Sequence, residues 1–152
     1  MFPPDERTSL HSELIEEASA DARISGVAIT GSAAAGSEDQ WSDIDLAFGV
    51  RNGDSLEGVL SDWTAKMYDR HGALHHVDVV FSPWLYRVFI LANTLQVDLA
   101  FVPQAEFRAL TPSFQLVSGE SQAARYAAGP QADGLVGIGW RLEGASYIAR
   151  SK

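Results

Sequence analysis

The sequence contains no cysteine. Disulfide bonds and thiolate metal sites are therefore excluded, and we expect a cytoplasmic protein. Long apolar stretches are also lacking, since none approaches the roughly 18 residues that a membrane-spanning helix needs. The first ten residues, MFPPDERTSL, have neither the basic start nor the apolar stretch of a signal peptide. We therefore expect no association with a membrane.

Basic side chains are scarce. Lysine and arginine number 11 against 20 aspartates and glutamates, which gives a formal net charge of −9. Such a balance disfavours nucleic acid as a partner and favours a cationic small molecule or a protein with a basic face. A metal–nucleotide complex also suits an acidic chain if the carboxylates gather around the cations. Solubility alone is the alternative explanation for most of these charges.

Apolar residues make up 46% of the 152 residues, which is enough for a hydrophobic core. Hydrophobic periodicity predicts an α/β fold (in the wider sense α+β), with a mixed sheet and flanking helices. Asp54 is expected to cap the central helix, and Gly72 to end it. The predicted helices span residues 6–22, 55–71 and 134–150, and the predicted strands span 27–30, 44–50, 76–81, 86–91 and 95–102.

The chain is expected to divide near residue 110. Residues 1–110 form the predicted catalytic domain, and residues 111–152 form a loop followed by a C-terminal helix. That helix carries apolar side chains without further helices to cover them. It therefore packs back on the sheet, docks a protein partner or a second copy of the chain, or begins a helical domain of a longer protein.

Two aspartates lie two apart in "ITGSAAAGSEDQWSDIDLAFGV", residues 29–50. Asp43 and Asp45 would project from one face of a strand, where like charges repel each other unless a cation lies between them. Gly31 lets the backbone pass close to a ligand, and Ser32 offers a hydroxyl and an N–H suited to phosphate oxygens. Mg²⁺ with substrate phosphates matches this set of groups.

A third carboxylate lies in "LQVDLAFVP", where alternation places Gln96, Asp98 and Ala100 on one face of a strand. Asp98 could accept a proton from an incoming hydroxyl or complete the ligand set of a metal. Asp78, in "HHVDVVF", is the alternative third carboxylate because it too is predicted on a strand.

On Gly31-Ser32, Asp43-Ile44-Asp45 and Asp98, the chain resembles the nucleotidyltransferase fold superfamily (DNA polymerase β-like). The flanking "WSDIDLAF" and "LQVDLAFVP" look most like bacterial stand-alone and antibiotic adenylyltransferase-like members, over residues 25–110. The resemblance implies an enzyme that transfers a nucleoside monophosphate, AMP from ATP, to a hydroxyl of a small acceptor. It also implies two Mg²⁺ ions bound by the first two aspartates, with the third as base or shared ligand.

Two alternatives stay open at this point. One is a minimal nucleotidyltransferase antitoxin that adenylylates or masks a helical toxin, and the other is a non-catalytic domain of the same fold. Antibiotic adenylyltransferases generally have a helical C-terminal domain that completes the acceptor pocket, whereas this chain has only a first helix-like piece. Five further residues are candidate contacts, and each also has a purely structural alternative. Ser42 could orient Asp43 or contact the nucleotide, and Trp41 and Trp84 could stack on a ring. His76 could contact the acceptor, and Arg87 could bind phosphates.

Overall fold

A seven-stranded mixed sheet carries most of the chain in the computed structural model, which describes residues 3–36 and 42–126, and residues 146–151 as backbone only. The helices are α1 (Pro4–Ala20), α2 (Gly31–Ala34) and α3 (Leu56–Arg70), with a 3₁₀ turn at Gln104–Glu106. The strands are β1 (Ile24–Thr30), β2 (Ile44–Val50), β3 (Ala73–Phe81), β4 (Trp84–Leu91), β5 (Gln96–Pro103), β6 (Phe114–Gly119) and β7 (Ser146–Ser151).

The strand order is β6-β1-β2-β5-β4-β3-β7, with β2 and β5 as the parallel pair and every other neighbouring pair antiparallel. Parallel strands need a crossover connection, and the chain from β2 to β5 runs through α3 and the β3–β4 hairpin. The predicted mixed sheet with flanking helices is therefore confirmed.

The two faces of the sheet differ in what covers them. The face under α1 and α3 holds the larger core cluster, in which Trp63 packs against Phe48 with ring centroids 4.9 Å apart. On the opposite face, the aligned residues Ala28, Ala47 and Ala100 form a buried row of small side chains across three strands. Among the described residues, the segment after β5 packs on this second face with Phe107 as its buried anchor.

Local sequence signals explain most element boundaries. Strand β2 spans the predicted residues 44–50, and Gly72 follows α3 with a φ of +73°. The N-cap was predicted one residue too early: the Ser55 hydroxyl, not the Asp54 carboxylate, accepts from the Gly58 N–H at 3.0 Å. Both residue types are good caps, and the extended backbone of Ser55 at the last position before the helix decides between them.

The C-terminal part of the chain departs from its prediction. Residues 111–133 were expected to be loosely structured, yet β6 forms within them and pairs with β1. Residues 134–145 of the predicted helix lie outside the described residues, and for 146–150 the helix is wrong because β7 pairs there with β3. This pairing satisfies backbone groups along what would otherwise be the open edge of β3. The proposed boundary at residue 110 stays a prediction.

None of the described helices combines the length and the apolar character that crossing a bilayer requires.

Candidate active site

Two of the three predicted carboxylates lie side by side. Asp45 of β2 aligns directly with Asp98 of β5, and neighbouring strands run about 4.8 Å apart. Their carboxyl groups are hydrogen-bonded to each other, which requires one of the two to carry a proton. Asp43 lies two residues before Asp45, and its charge acts on both members of the pair. The structure therefore brings all three carboxylates together at the N-terminal ends of the parallel strands.

Burial disfavours the ionised form of each carboxyl group. It is the main cause that raises the pKa of Asp43, of Asp45 and of Asp98 above the ordinary value for aspartate. The charge of Asp45 raises the pKa of Asp98 further, so this residue has the most strongly raised pKa of the three. Burial and mutual repulsion therefore favour a proton held within the site over three full negative charges. A bound cation would replace that proton.

The Gly31 turn packs directly on Asp45. Gly31 has a φ of +65°, and a Cβ at this position would lie 2.8 Å from the Asp45 Cγ atom. Only glycine tolerates both the backbone conformation and the contact. The turn therefore brings the Gly31-Ser32 backbone against the carboxylates, as the motif predicts for a site that holds phosphate oxygens beside them.

Arg7 reaches the site from α1 and was missed in the sequence. Its Nε donates to the Ser42 carbonyl at 2.6 Å, and its Nη2 donates to the Asp43 carbonyl at 3.1 Å. A detectable signal existed, because Arg7, Leu14 and Ala18 are the buried residues of α1 and lie on one helical stripe. An arginine on an otherwise apolar stripe indicates a buried partner.

Two more polar side chains border Asp98. Gln96, which the strand alternation places on the same face, donates from Nε2 to the Asp98 Oδ1 atom at 2.9 Å. Tyr86 of β4 aligns with Ala100 and thus extends the row of small side chains beside the carboxylates. Burial, assisted by the charge of Asp45, raises the pKa of the Tyr86 hydroxyl, which therefore stays a neutral hydrogen-bonding group. Tyr86 was missed because only the β4–β5 register places it here.

The alternative third carboxylate lies on the other face. Asp78 aligns with Arg87, which in turn aligns with Leu99, one residue out of phase with Asp98. Both oxygens of Asp78 accept from Arg87, at 2.6 Å each, and both side chains are buried. Asp78 is therefore not the third member of the site, and Arg87 does not face phosphates bound there.

The remaining candidate contacts also have structural roles or lie elsewhere. The His76 ring is buried beneath α3, where its Nδ1 lies 2.8 Å from the Tyr68 hydroxyl. Trp84 is 4% exposed and stacks on Tyr86 at 6.0 Å between ring centroids. The Ser42 carbonyl is held by Arg7. Trp41 lies outside the described residues.

A cleft opens beside Tyr86 on the site's face. Its volume is about 10 Å³, far below the range of about 300–1,000 Å³ typical of small-molecule sites. This cleft by itself therefore has no room for a nucleotide or a small-molecule acceptor. Its lining includes Thr30, Trp84, Tyr86, Arg108, Leu110 and Phe114.

A second carboxylate cluster, distant from this site in the fold, carries its own cations. Glu13 and Glu17 of α1 meet His71 at the end of α3. Lys66 Nζ lies 3.1 Å from Glu17, and Arg70 lies within 4 Å of both glutamates. These ion pairs account for the cluster as a link between the two helices.

Among solved structures, the chain is similar to the crystal structure of an aminoglycoside 6-adenyltransferase from Bacillus subtilis. The two share 16% sequence identity, with a TM-score of 0.46, and the match covers 70% of this chain and 37% of that one. The chain thus matches little more than a third of that protein's length. No family model matches the sequence, and no curated protein matches it.

Proposed function

We propose that the protein transfers a nucleoside monophosphate, AMP from ATP, to a hydroxyl group in a Mg²⁺-dependent reaction. The observation that supports this most is the alignment of Asp45 with Asp98 on adjacent parallel strands, with Asp43 and the Gly31 turn beside them. Three carboxylates this close together destabilise the folded protein unless a cation binds to them. Mg²⁺ suits it because it prefers carboxylate oxygens together with substrate phosphates.

The carboxylates of Asp43, Asp45 and Asp98 would hold the metal, and two ions are the expected number. When bound, Mg²⁺ would neutralise the carboxylates and stabilise charge on the transferring phosphoryl group. The chain's own residues fit this role, since burial and the charge of Asp45 together raise the pKa of Asp98, and a bound cation would relieve the repulsion between the two carboxylates. Gly31 and Ser32 would bind phosphate oxygens through backbone N–H groups and the Ser32 hydroxyl.

In the proposed reaction, the acceptor oxygen forms a bond to the α-phosphorus while the bond from that phosphorus to the bridging oxygen breaks. Pyrophosphate leaves with the electron pair of the broken bond. Asp98, ionised in the loaded site, accepts the proton of the acceptor hydroxyl. Its neighbour Gln96 holds one carboxylate oxygen by a hydrogen bond and so fixes the orientation of the group.

The acceptor is proposed to be a small hydroxylated molecule, and the net charge of −9 supports a cationic one. The cleft beside Tyr86 contributes Arg108 and no carboxylate among its lining residues. A cationic group of the acceptor would therefore lie outside this cleft, nearer the aspartates or against residues beyond the described part of the chain.

The antitoxin alternative loses part of its support. It relied on an apolar C-terminal helix available to a toxin partner, and residues 146–150 of that helix are strand β7 instead. It therefore stays an untested prediction, as does the non-catalytic alternative.

The proposal is tested by incubating the protein with α-labelled nucleoside triphosphates, Mg²⁺ and a panel of hydroxylated acceptors. We expect Mg²⁺-dependent pyrophosphate release and label transfer, reduced at least about 100-fold by Asp98→Asn. Asp54→Asn, at an exposed aspartate just before α3, is the matched control and should retain full activity. Absence of transfer together with absence of Mg²⁺-dependent nucleotide binding would contradict the proposal and favour a non-catalytic domain.

A further inference from the structure

Arg7 links the first helix to the segment that enters the carboxylate strand. We propose that Arg7 is a positioning residue of the metal site, which holds the backbone of residues 42 and 43 so that Asp43 faces Asp45 and Asp98. This inference rests on the proposed function, because it concerns the binding of the same divalent cation. It assigns to α1 a role in the site beyond covering the sheet.

The geometry of the guanidinium carries this inference. Ser42 and Asp43 precede β2, whose pairing with β5 begins only at Ile44. Two successive carbonyls in this unpaired stretch each accept one N–H of Arg7. A planar guanidinium with two donors fixes both carbonyls at once, which a flexible ammonium cannot do in the same way.

Arg7 is itself firmly held. It is 6% exposed, and α1 is anchored in the core by Leu14 and Ala18, both fully buried. The backbone position of Asp43 is thereby tied to helix α1. Carboxylates that bind metal depend on such supporting contacts, whose loss typically weakens metal binding by about 10- to 100-fold.

The positive charge of Arg7 disfavours metal binding, whereas its positioning of the backbone favours it, so an experiment can separate the two effects. Its positive charge lowers the pKa of Asp43 and of Asp45 against the effect of burial, so it stabilises the empty carboxylates. The same charge repels an incoming cation. If positioning dominates, removal of Arg7 weakens metal binding, whereas if charge dominates, removal strengthens it.

The experiment measures Mn²⁺ binding to the full chain by electron paramagnetic resonance, with no nucleotide and no turnover. We expect Arg7→Met to raise the dissociation constant at least about 10-fold and to broaden the spectrum of the remaining bound Mn²⁺. Arg7→Lys keeps the charge and one donor, so an increase of about threefold is expected. Thermal unfolding without metal establishes that each variant is folded.

Arg51→Met is the matched control. Arg51 also donates to two backbone carbonyls, those of Ala22 at 2.9 Å and Ile24 at 3.4 Å, but at the far end of β1 and β2. We expect its Mn²⁺ dissociation constant to stay within about twofold of the wild-type value, since this arginine has no contact with the carboxylates.

The outcomes separate the two proposals. Wild-type protein that binds no Mn²⁺ would overturn the metal site and the role of Arg7 with it. Wild-type binding that Arg7→Met leaves unchanged or strengthens would overturn only the role of Arg7. If Arg7→Met does not fold, Arg7→Lys decides: weaker binding at an unchanged unfolding temperature supports positioning, and unchanged binding overturns it.

Discussion

Two sets of carboxylates lie on opposite faces of one sheet and differ in their partners: Asp78 is buried, whereas Asp45 and Asp98 are half-buried. Asp78 meets Arg87 through two hydrogen bonds of 2.6 Å, and the Arg87 Nη1 donates to the Thr64 hydroxyl at 2.9 Å. Asp45 meets another carboxyl group, that of Asp98. The charge of Asp78 is balanced within the chain by Arg87, whereas the charges around Asp45 and Asp98 are balanced only in part by Arg7 and otherwise need a proton or a bound cation.

The difference separates a structural acid from a candidate functional one. Burial disfavours the ionised form of the carboxyl groups in both sets. The opposite charge of Arg87 offsets this effect for Asp78, whereas Asp45 and Asp98 in addition repel each other. Carboxylates arranged at such a cost are candidates for a ligand site, since clustered acids with raised pKa values concentrate at functional sites.

The largest expected effect is on the unfolding free energy, through the Asp78–Arg87 pair. Arg87→Met leaves Asp78 buried without its partner, and breaking a buried pair in this way typically costs about 3–5 kcal/mol of unfolding free energy. Urea denaturation measures this loss. The double variant Arg87→Met with Asp78→Leu should recover most of it, because no buried charge then remains. A cost below about 1 kcal/mol for the single variant would show that the pair is not structural.

The second effect concerns the metal-dependent stability of the site formed by Asp43, Asp45 and Asp98. Mn²⁺ or Mg²⁺ at about 100 times its dissociation constant should raise the unfolding free energy of the wild type by about 2.7 kcal/mol. Asp98→Asn should abolish this stabilisation and, without metal, unfold at a higher temperature than the wild type because the repulsion with Asp45 is gone. The Asp54→Asn control should behave as the wild type. A metal-free Asp98→Asn protein less stable than the wild type would show that repulsion between Asp98 and Asp45 does not destabilise the metal-free protein.

The third effect is a pH dependence of the metal-free protein. The folded-state pKa of Asp98 is raised, so between the ordinary aspartate pKa and this raised value the folded state holds more protons than the unfolded state. Stability contributed by the protonated group is present at low pH and is lost as the pH rises through the raised pKa. We expect the unfolding temperature to fall by about 5 °C more in the wild type than in Asp98→Asn between pH 5 and pH 8. Parallel curves for the two proteins would refute this.

Local patterns in the sequence predicted much of the fold and the core of the candidate site. The alternation around Asp43, Asp45 and Asp98 fixed which faces these side chains occupy, because strand periodicity is a property of consecutive residues. The short turn at residues 92–94 likewise predicted the β4–β5 hairpin, which the register confirms.

Contacts between distant segments could not be predicted in this way. The positions of Arg7 and Tyr86 depend on how α1 and β4 pack against β2 and β5, which no local pattern encodes. The same limit explains the helix predicted at residues 134–150: its apolar spacing matched a helix, but pairing with β3 determines the conformation of residues 146–150. Asp78 was ambiguous for a related reason, since only the strand register shows that it faces Arg87.

The smallest expected effect separates backbone strain from contact with the site. Gly31 and Gly36 have φ values of +65° and +71°, so alanine at either position should cost about 1 kcal/mol of unfolding free energy. A Cβ on Gly36 meets nothing within 4 Å, whereas one on Gly31 would press against Asp45. We therefore expect Gly31→Ala to lose more stability than Gly36→Ala in the metal-free state, and only Gly31→Ala to weaken Mn²⁺ binding. Equal Mn²⁺ affinity in both variants would mean that Asp45 can shift away from the turn without loss of metal binding. The carboxylates of Asp43, Asp45 and Asp98 would then be held less rigidly than the Asp78–Arg87 pair on the other face.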